Sequence, residues 1–90
     1  MNERDDGIEW EVYVVRCADE SLYTGIAKDV EARLEAHNSG KGAAYTRARR
    51  PVRLLYREGP LSRSEALVRE AQIKKLPRPR KERLASNGSY

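Results

Sequence analysis

The 90-residue chain lacks long apolar runs and is poor in cysteine. No stretch approaches the roughly 20 apolar residues of a membrane-spanning helix, and the acidic start MNERDDG is unlike a signal peptide. The single cysteine, Cys17, can form neither an internal disulfide nor a zinc cluster of several cysteines. We therefore expect a cytoplasmic protein that does not bind a membrane.

An internal repeat and a long linker are also missing. Ninety residues are enough for one small domain and leave no room for a large ligand-enclosing cavity. Charged residues make up 36% of the chain, but aliphatic residues recur periodically, as in a folded protein with a solvated surface. We predict a single domain over residues 10–86, between a flexible acidic segment, 1–9, and a frayed tail, 87–90.

Charge is distributed unevenly along the sequence. Residues 1–40 carry ten acids and four bases, whereas residues 41–90 carry four acids and fourteen bases. Thirteen of the eighteen bases are arginine, whose planar guanidinium suits phosphate oxygens. The second half therefore favours a polyanionic partner such as nucleic acid. Arginine-rich surfaces also arise from genome composition or solubility, and charge alone does not separate these origins.

Three strands are predicted. β-Branched and aromatic residues concentrate in residues 10–16 and 21–27, and the four residues between them indicate a β-hairpin. Residues 51–58 form a predicted third strand that ends at Gly59-Pro60.

Three helices are predicted from their caps and spacing. Asp29 is an N-cap for a first helix that stops at Asn38-Ser39-Gly40. A capping box opens a second helix over 62–76, and a short third helix covers 79–86. The order β-β-α-β-α-α predicts an α/β protein of the α+β type, with a small three-stranded antiparallel sheet flanked by about three helices.

Glu70 stands out within the helix over 62–76. At helical spacing, Ala66, Leu67 and Ile73 form one apolar stripe, and Glu70 falls in its middle. Burying a carboxylate costs several kcal/mol unless a cation, a metal or strong hydrogen bonds compensate it. Glu70 therefore indicates a site, and the alternative is an ion pair with Lys74 one turn later.

Four further polar residues can gather near Glu70. Tyr13 and Tyr23 lie on the paired strands, while Arg33 and His37 share one face of the first helix. The sheet and the two helices can therefore surround one shallow cleft.

Residues 10–85 resemble the GIY-YIG nuclease superfamily. The first signature tripeptide corresponds to Glu11-Val12-Tyr13 and the second to Tyr23-Thr24-Gly25, followed by Arg33, His37 and Glu70. The chain is most similar to the small stand-alone bacterial members, which share the LYTGI-type strand, the SGKGA loop and basic late helices. Those members are similar to the catalytic domains of structure-specific endonucleases that cut branched DNA.

The chain departs from the family pattern at two positions. Glu11 replaces the glycine of the first tripeptide, and Thr24 replaces the isoleucine of the second. The family also has a late polar residue, usually asparagine, for which Lys81 and Asn87 are the two candidates.

The resemblance implies a catalytic role for five residues. Glu70 would hold Mg²⁺ or Mn²⁺, and Arg33 would hold the scissile phosphate unless it forms a salt bridge with Glu70 or an exposed acid. Tyr13 would activate the attacking water, which requires nearby positive charge because a free phenol has a pKa near 10. Tyr23 would orient water or phosphate, and both tyrosines could instead be ordinary strand residues. His37 would shuttle a proton or hydrogen-bond a tyrosine, or be structural.

Further residues are expected to contact nucleic acid: Gly25, Lys41, Arg47, Arg49, Arg50, Arg53 and Lys74. The loop 40–53 could bring amides and arginines to phosphates, or be a solvated mobile loop. Gly25 could allow close approach of a ligand, or form a bulge. Tyr45 could stack on an exposed base, or pack onto the third strand.

The resemblance implies a magnesium-dependent endonuclease that hydrolyses DNA by direct attack of water, in DNA repair. We expect the protein to select DNA by its shape, such as branched, flap or single-stranded DNA, and not by its sequence. A protein partner would be another source of specificity. The alternatives are a nucleic-acid binding module with little or no cleavage and an adaptor whose basic face docks an acidic protein.

Overall fold

The computed structural model describes residues 7–86. The predicted segments 1–9 and 87–90 fall largely or wholly outside this range. Three strands and four helices follow in the order β1 (Trp10–Arg16), β2 (Leu22–Ala27), α1 (Val30–Asn38), α2 (Ala44–Arg47), β3 (Arg53–Leu61), α3 (Arg63–Lys74) and α4 (Arg78–Ser86). The sheet is antiparallel with the order β2-β1-β3. The predicted fold is confirmed, and the short α2 inside the glycine-rich loop is an addition to it.

The central strand β1 divides the core into two layers, because successive side chains on a strand point to opposite faces. One layer contains Tyr13, Val15 and Cys17, and Leu34 of α1 packs against it. The other contains Val12 and Val14 together with Ala66 and Ile73 of α3. The sheet is therefore covered by α1 on one face and by α3 and α4 on the other.

The helix caps form as the sequence predicts. The Asp29 carboxylate accepts the amide of Ala32 at 3.0 Å at the start of α1. Ser62 and Glu65 form a reciprocal capping box at the start of α3. These bonds satisfy amides that have no partner in the first turn of a helix.

The apolar stripe of α3 is narrower than predicted. Ala66 and Ile73 are fully buried, but the Leu67 side chain is 39% exposed. Leu67 was therefore wrongly placed in the core. Ala66 and Ile73, which contact the sheet, lie seven residues or about two helical turns apart on one line of the helix, and Leu67 lies beside that line.

Strand β3 continues beyond Gly59-Pro60, where it was predicted to end. Trp10 pairs with Leu61 and Val12 with Glu58, so β3 has one extra residue opposite β1 at this point. Such a bulge tolerates proline, because its residues are not all needed in the hydrogen-bond ladder. Among the helices of residues 7–86, none is long and apolar enough to cross a membrane.

Candidate active site

Tyr13 and Gly25 lie opposite each other on β1 and β2. A Cβ atom built on Gly25 would lie 2.6 Å from the Tyr13 hydroxyl oxygen, which is closer than real Cβ contacts come. Glycine at this position therefore makes room for the Tyr13 phenol. The contact of Gly25 with nucleic acid stays a prediction, since the approach that requires glycine is made by the protein itself.

The Tyr13 hydroxyl is hydrogen-bonded to His37. The oxygen lies 2.8 Å from His37 Nε2, and both side chains are buried. The Tyr23 ring meets the His37 ring edge-on, with 5.5 Å between the centroids. The two signature tyrosines and the histidine thus form one cluster, which the sequence predicted from their separate positions.

The loop between α1 and β3 encloses the other side of His37. Thr46 on α2 is fully buried, and its Oγ1 lies 2.8 Å from His37 Nδ1. Gly42 lies so close to the imidazole that a Cβ there would overlap it. Sequence reasoning missed Thr46. The available signal was Gly42 between His37 and Thr46, because a glycine often marks a close approach of the backbone.

The arginines of this loop fall into two groups. Arg49 donates to the Asp19 carboxylate at 3.0 Å and to the Tyr45 carbonyl at 2.8 Å. Arg50 donates to the Arg47 carbonyl at 2.9 Å. These two guanidiniums therefore stabilise the loop. Besides Arg50, three exposed cations of the same segment have no ion-pair partner within residues 7–86: Lys41, Arg47 and Arg53.

Tyr45 packs against other side chains of the site. Its ring is stacked with Tyr23, with 5.9 Å between centroids, and the Arg49 guanidinium lies 3.9 Å from its centre. Tyr45 therefore supports Tyr23. Stacking of a base on Tyr45 stays a prediction.

Glu70 is turned toward the protein. Its side chain is 19% exposed, and one carboxylate oxygen lies 3.2 Å from Lys74 Nζ. The ion pair named as the alternative is thus present on a side chain that is nonetheless largely buried. Arg33 forms no salt bridge with Glu70 or with any other acid within residues 7–86, which leaves its guanidinium available for a phosphate.

The environment of the site keeps the Tyr13 phenol and the His37 imidazole uncharged. Burial raises the pKa of Tyr13 above 10, and the charges of Tyr23 and Glu70 add to this, while the nearby Arg33 guanidinium opposes it. Burial lowers the pKa of His37 below 6.5, and the positive charge of Arg33 lowers it further. At neutral pH the pair is therefore an uncharged phenol beside an uncharged imidazole.

The donor set suits a hard divalent cation. Within residues 7–86 no cluster of three or more histidine, cysteine or acidic side chains could hold a metal ion. Glu70 supplies a single carboxylate, whose charge acts on Tyr13. Mg²⁺ fits one carboxylate, because it keeps several waters and takes other oxygen ligands from substrate.

A basic hollow adjoins the tyrosine cluster. It has a volume of about 240 Å³, and its lining includes Tyr23, Tyr45, Lys74 and Lys81. Among residues 7–86, no acid lines this hollow. Of the two candidates for the late polar residue, Lys81 is therefore near Tyr23, and Asn87 lies outside the described residues.

The two departures from the signature have structural explanations. Glu11 accepts two hydrogen bonds from Arg57, at 2.7 and 3.1 Å, and Arg57 also donates to Glu31 on α1 at 2.7 Å. Glu11 thus ties β1 to β3 through Arg57. Thr24 is buried on the face of the sheet that α3 covers. Neither residue lies in the tyrosine-histidine cluster.

The chain is thus a small α+β domain with a buried tyrosine-histidine cluster. The sequence profile of the GIY-YIG catalytic domain matches residues 9–83, and the chain belongs to the GIY-YIG nuclease family.

Its relatives are small stand-alone bacterial proteins. The UPF0213 proteins of Staphylococcus aureus strains Mu3 and N315 are 59% identical over 73 residues, covering 81% of this chain and 89% of theirs. The solution structure of the UPF0213 protein BH0048 from Bacillus halodurans has a TM-score of 0.54 and 45% identity, covering 86% of this chain and 82% of that one. The solution structure of EF2693 from E. faecalis has a TM-score of 0.55 and 45% identity, covering 81% and 78%.

Proposed function

We propose that this protein is a metal-dependent endonuclease that hydrolyses DNA phosphodiester bonds and selects DNA by shape. The observation that carries the proposal is the 2.8 Å hydrogen bond between the Tyr13 hydroxyl and His37 Nε2, in a site where the charges of Arg33 and Glu70 act on Tyr13. A phenol and an imidazole in contact can move a proton away from an attacking water.

Tyr13 acts as the base through His37. The phenol oxygen accepts a proton from the attacking water while its own proton moves to Nε2, and the imidazole becomes a cation. The water oxygen bonds to phosphorus as the P–O bond to the leaving sugar oxygen breaks, and that alkoxide takes a proton from solvent. The pKa of Tyr13 is raised, so a free phenolate is unfavourable at neutral pH. Simultaneous transfer of the two protons avoids that species.

Arg33, and Glu70 through a bound metal ion, would neutralise the negative charge of the scissile phosphate. Arg33, which has no acidic partner within the described range, neutralises the phosphoryl oxygens as negative charge develops on them. Glu70 would hold Mg²⁺ or Mn²⁺ in exchange for its ion pair with Lys74. When bound, the metal supplies positive charge beside the phosphate and the leaving alkoxide.

The substrate backbone lies across the basic hollow. Lys74 and Lys81 line it, and Lys41, Arg47 and Arg53 are further exposed cations of the described residues. Cations contact phosphates whatever the base sequence. Because these contacts do not depend on base sequence, we expect the protein to recognise its substrate by the shape of branched or flap DNA, or through a protein partner.

The test is a cleavage screen over labelled duplex, flap, splayed and four-way DNA, each with Mg²⁺ or Mn²⁺. We expect metal-dependent cleavage of at least one substrate and a loss of about 10²-fold or more in Glu70→Gln and Arg33→Ala, with DNA binding retained. The matched control is Glu35→Gln, which makes the same change at an exposed glutamate of α1.

Other outcomes identify other functions. Salt-sensitive DNA binding with no cleavage by the wild-type protein points to a binding module, and absence of DNA binding at low salt points to a protein-docking adaptor. Either result contradicts the proposed endonuclease.

A further inference from the structure

Thr46 connects His37 to the backbone of the loop. Its Oγ1 lies 2.8 Å from His37 Nδ1 and 3.0 Å from the carbonyl oxygen of Ala43. On the opposite side of the ring, Nε2 lies 2.8 Å from the Tyr13 hydroxyl. Both ring nitrogens therefore have one partner each, and neither side chain of the Thr46-His37 pair is exposed to water.

The positions of the hydrogens follow from the donors available. A threonine hydroxyl has one hydrogen, and two oxygens at 3.0 Å repel each other unless a hydrogen lies between them. The Thr46 hydrogen is therefore directed at the Ala43 carbonyl. Oγ1 must then accept from His37, so Nδ1 carries the ring hydrogen and Nε2 has the lone pair.

We infer that Thr46 is a positioning residue that holds His37 in its Nδ1–H form, so that Nε2 is free to accept the Tyr13 proton. As a statement about catalysis this rests on the proposed nuclease function. The opposite tautomer would donate from Nε2 to the phenol oxygen and block the transfer. Oγ1 can accept from Nδ1–H both before and after Nε2 is protonated, so Thr46 itself neither gains nor loses a proton.

The surroundings leave the threonine hydroxyl as the group that selects the tautomer. Gly42 lies against the imidazole and leaves no space there for a side chain. The Thr46 side chain is completely buried, so a water molecule cannot take over its bond to Nδ1 without a rearrangement. Thr46→Val keeps the shape and removes the hydroxyl, and Thr46→Ser keeps the hydroxyl.

The first test measures the tautomer in the free protein. His37 is the only histidine of the chain, so the ¹⁵N chemical shifts of its ring can be assigned without ambiguity. We expect an Nδ1–H pattern at pH 7.5 in the wild-type protein and in Thr46→Ser, and its loss in Thr46→Val. An Nε2–H ring in the wild-type protein overturns the inference, whatever the variants do.

The second test measures cleavage of the best DNA substrate. We expect kcat to fall at least about tenfold in Thr46→Val with KM unchanged, and to recover in Thr46→Ser. Equal kcat in the wild-type protein and a folded Thr46→Val variant overturns the catalytic part. If the wild-type protein does not cleave DNA but shows the Nδ1–H ring, the proposed nuclease function fails while the positioning of His37 by Thr46 stands.

Discussion

Asn38 binds the backbone of Val52 through two hydrogen bonds. The side-chain oxygen accepts from the Val52 amide at 2.7 Å, and the side-chain nitrogen donates to the Val52 carbonyl at 3.0 Å. These two hydrogen bonds resemble those between paired residues of two β-strands. They join the last residue of α1 to the start of β3. The two ends of the loop that carries Thr46 are thus joined to each other.

Asn38→Ala tests this closure. We expect the free energy of unfolding to fall by about 1–3 kcal/mol, because the Val52 amide and carbonyl lose their partners. Urea unfolding measures the change. The control is Ser39→Ala, which removes an exposed hydroxyl bonded to the Ala36 carbonyl and should change stability by less than about 0.5 kcal/mol. Equal effects of the two substitutions would show that the Asn38 bonds are unimportant.

Gly25→Ala tests the contact between β2 and Tyr13. The added Cβ would overlap the phenol, so we expect a loss of about 1–3 kcal/mol of stability and of the Tyr13 geometry. Tyr13→Phe removes the hydroxyl, which is the atom closest to that Cβ. The cost of Gly25→Ala should therefore be smaller in a Tyr13→Phe background, as measured by a double-mutant cycle. Additive costs would contradict the contact.

His37 should make the protein sensitive to mild acid. Burial lowers the pKa of His37 in the native state, while the unfolded chain keeps a value near 6.5. Below pH 6.5 the unfolded state therefore binds a proton that the native state does not. The free energy of unfolding must then fall as pH is lowered from 6.5 toward the native pKa, by at most about 1.4 kcal/mol per unit.

Unfolding by urea between pH 5.5 and 7.5 measures this slope. The carboxylates whose pKa values are lowered, such as Glu58, titrate mainly below this window. His37→Gln should be less stable at pH 7.5 and should lose the slope. The same slope in both proteins would assign the acid sensitivity to other groups.

Lys81→Ala tests the basic hollow. The Lys81 ammonium lines the hollow beside Tyr23, so its removal should weaken DNA binding and reduce the slope of log K against log salt by about 0.7–0.9. Lys75→Ala is the matched control, since Lys75 is an exposed lysine that does not line the hollow. Binding titrations at four salt concentrations compare the two variants. If both lysines have the same effect, DNA is held by diffuse charge and not in the hollow.

The sequence predicted those features that depend on neighbouring residues. The hairpin, the Asp29 cap and the Ser62-Glu65 capping box all formed as expected. Each is decided within a few positions along the chain, where the residue types set the backbone and its first hydrogen bonds. Leu67 was misplaced because helical spacing gives the direction of a side chain but not the position of the sheet it meets.

The family signature also named residues that lie together in the structure, but it did not show which of their atoms are in contact. Tyr13, Tyr23 and His37 are in contact, as expected, but the spacing does not reveal which atoms meet. The arginines of the loop looked alike in the sequence. The structure separates Arg49 and Arg50, whose guanidiniums are hydrogen-bonded within the protein, from Arg47, whose guanidinium has no such bond within residues 7–86.

The sequence by itself determined the strands and the caps, because these depend on residue type and short-range spacing, and the family pattern indicated that Tyr13, Tyr23 and His37 lie together. The tertiary structure alone decided that Thr46 meets Nδ1 of His37 while Tyr13 meets Nε2. That arrangement brings together residues from β1, α1 and α2, and only the packing of these elements fixes such distances to within a hydrogen bond.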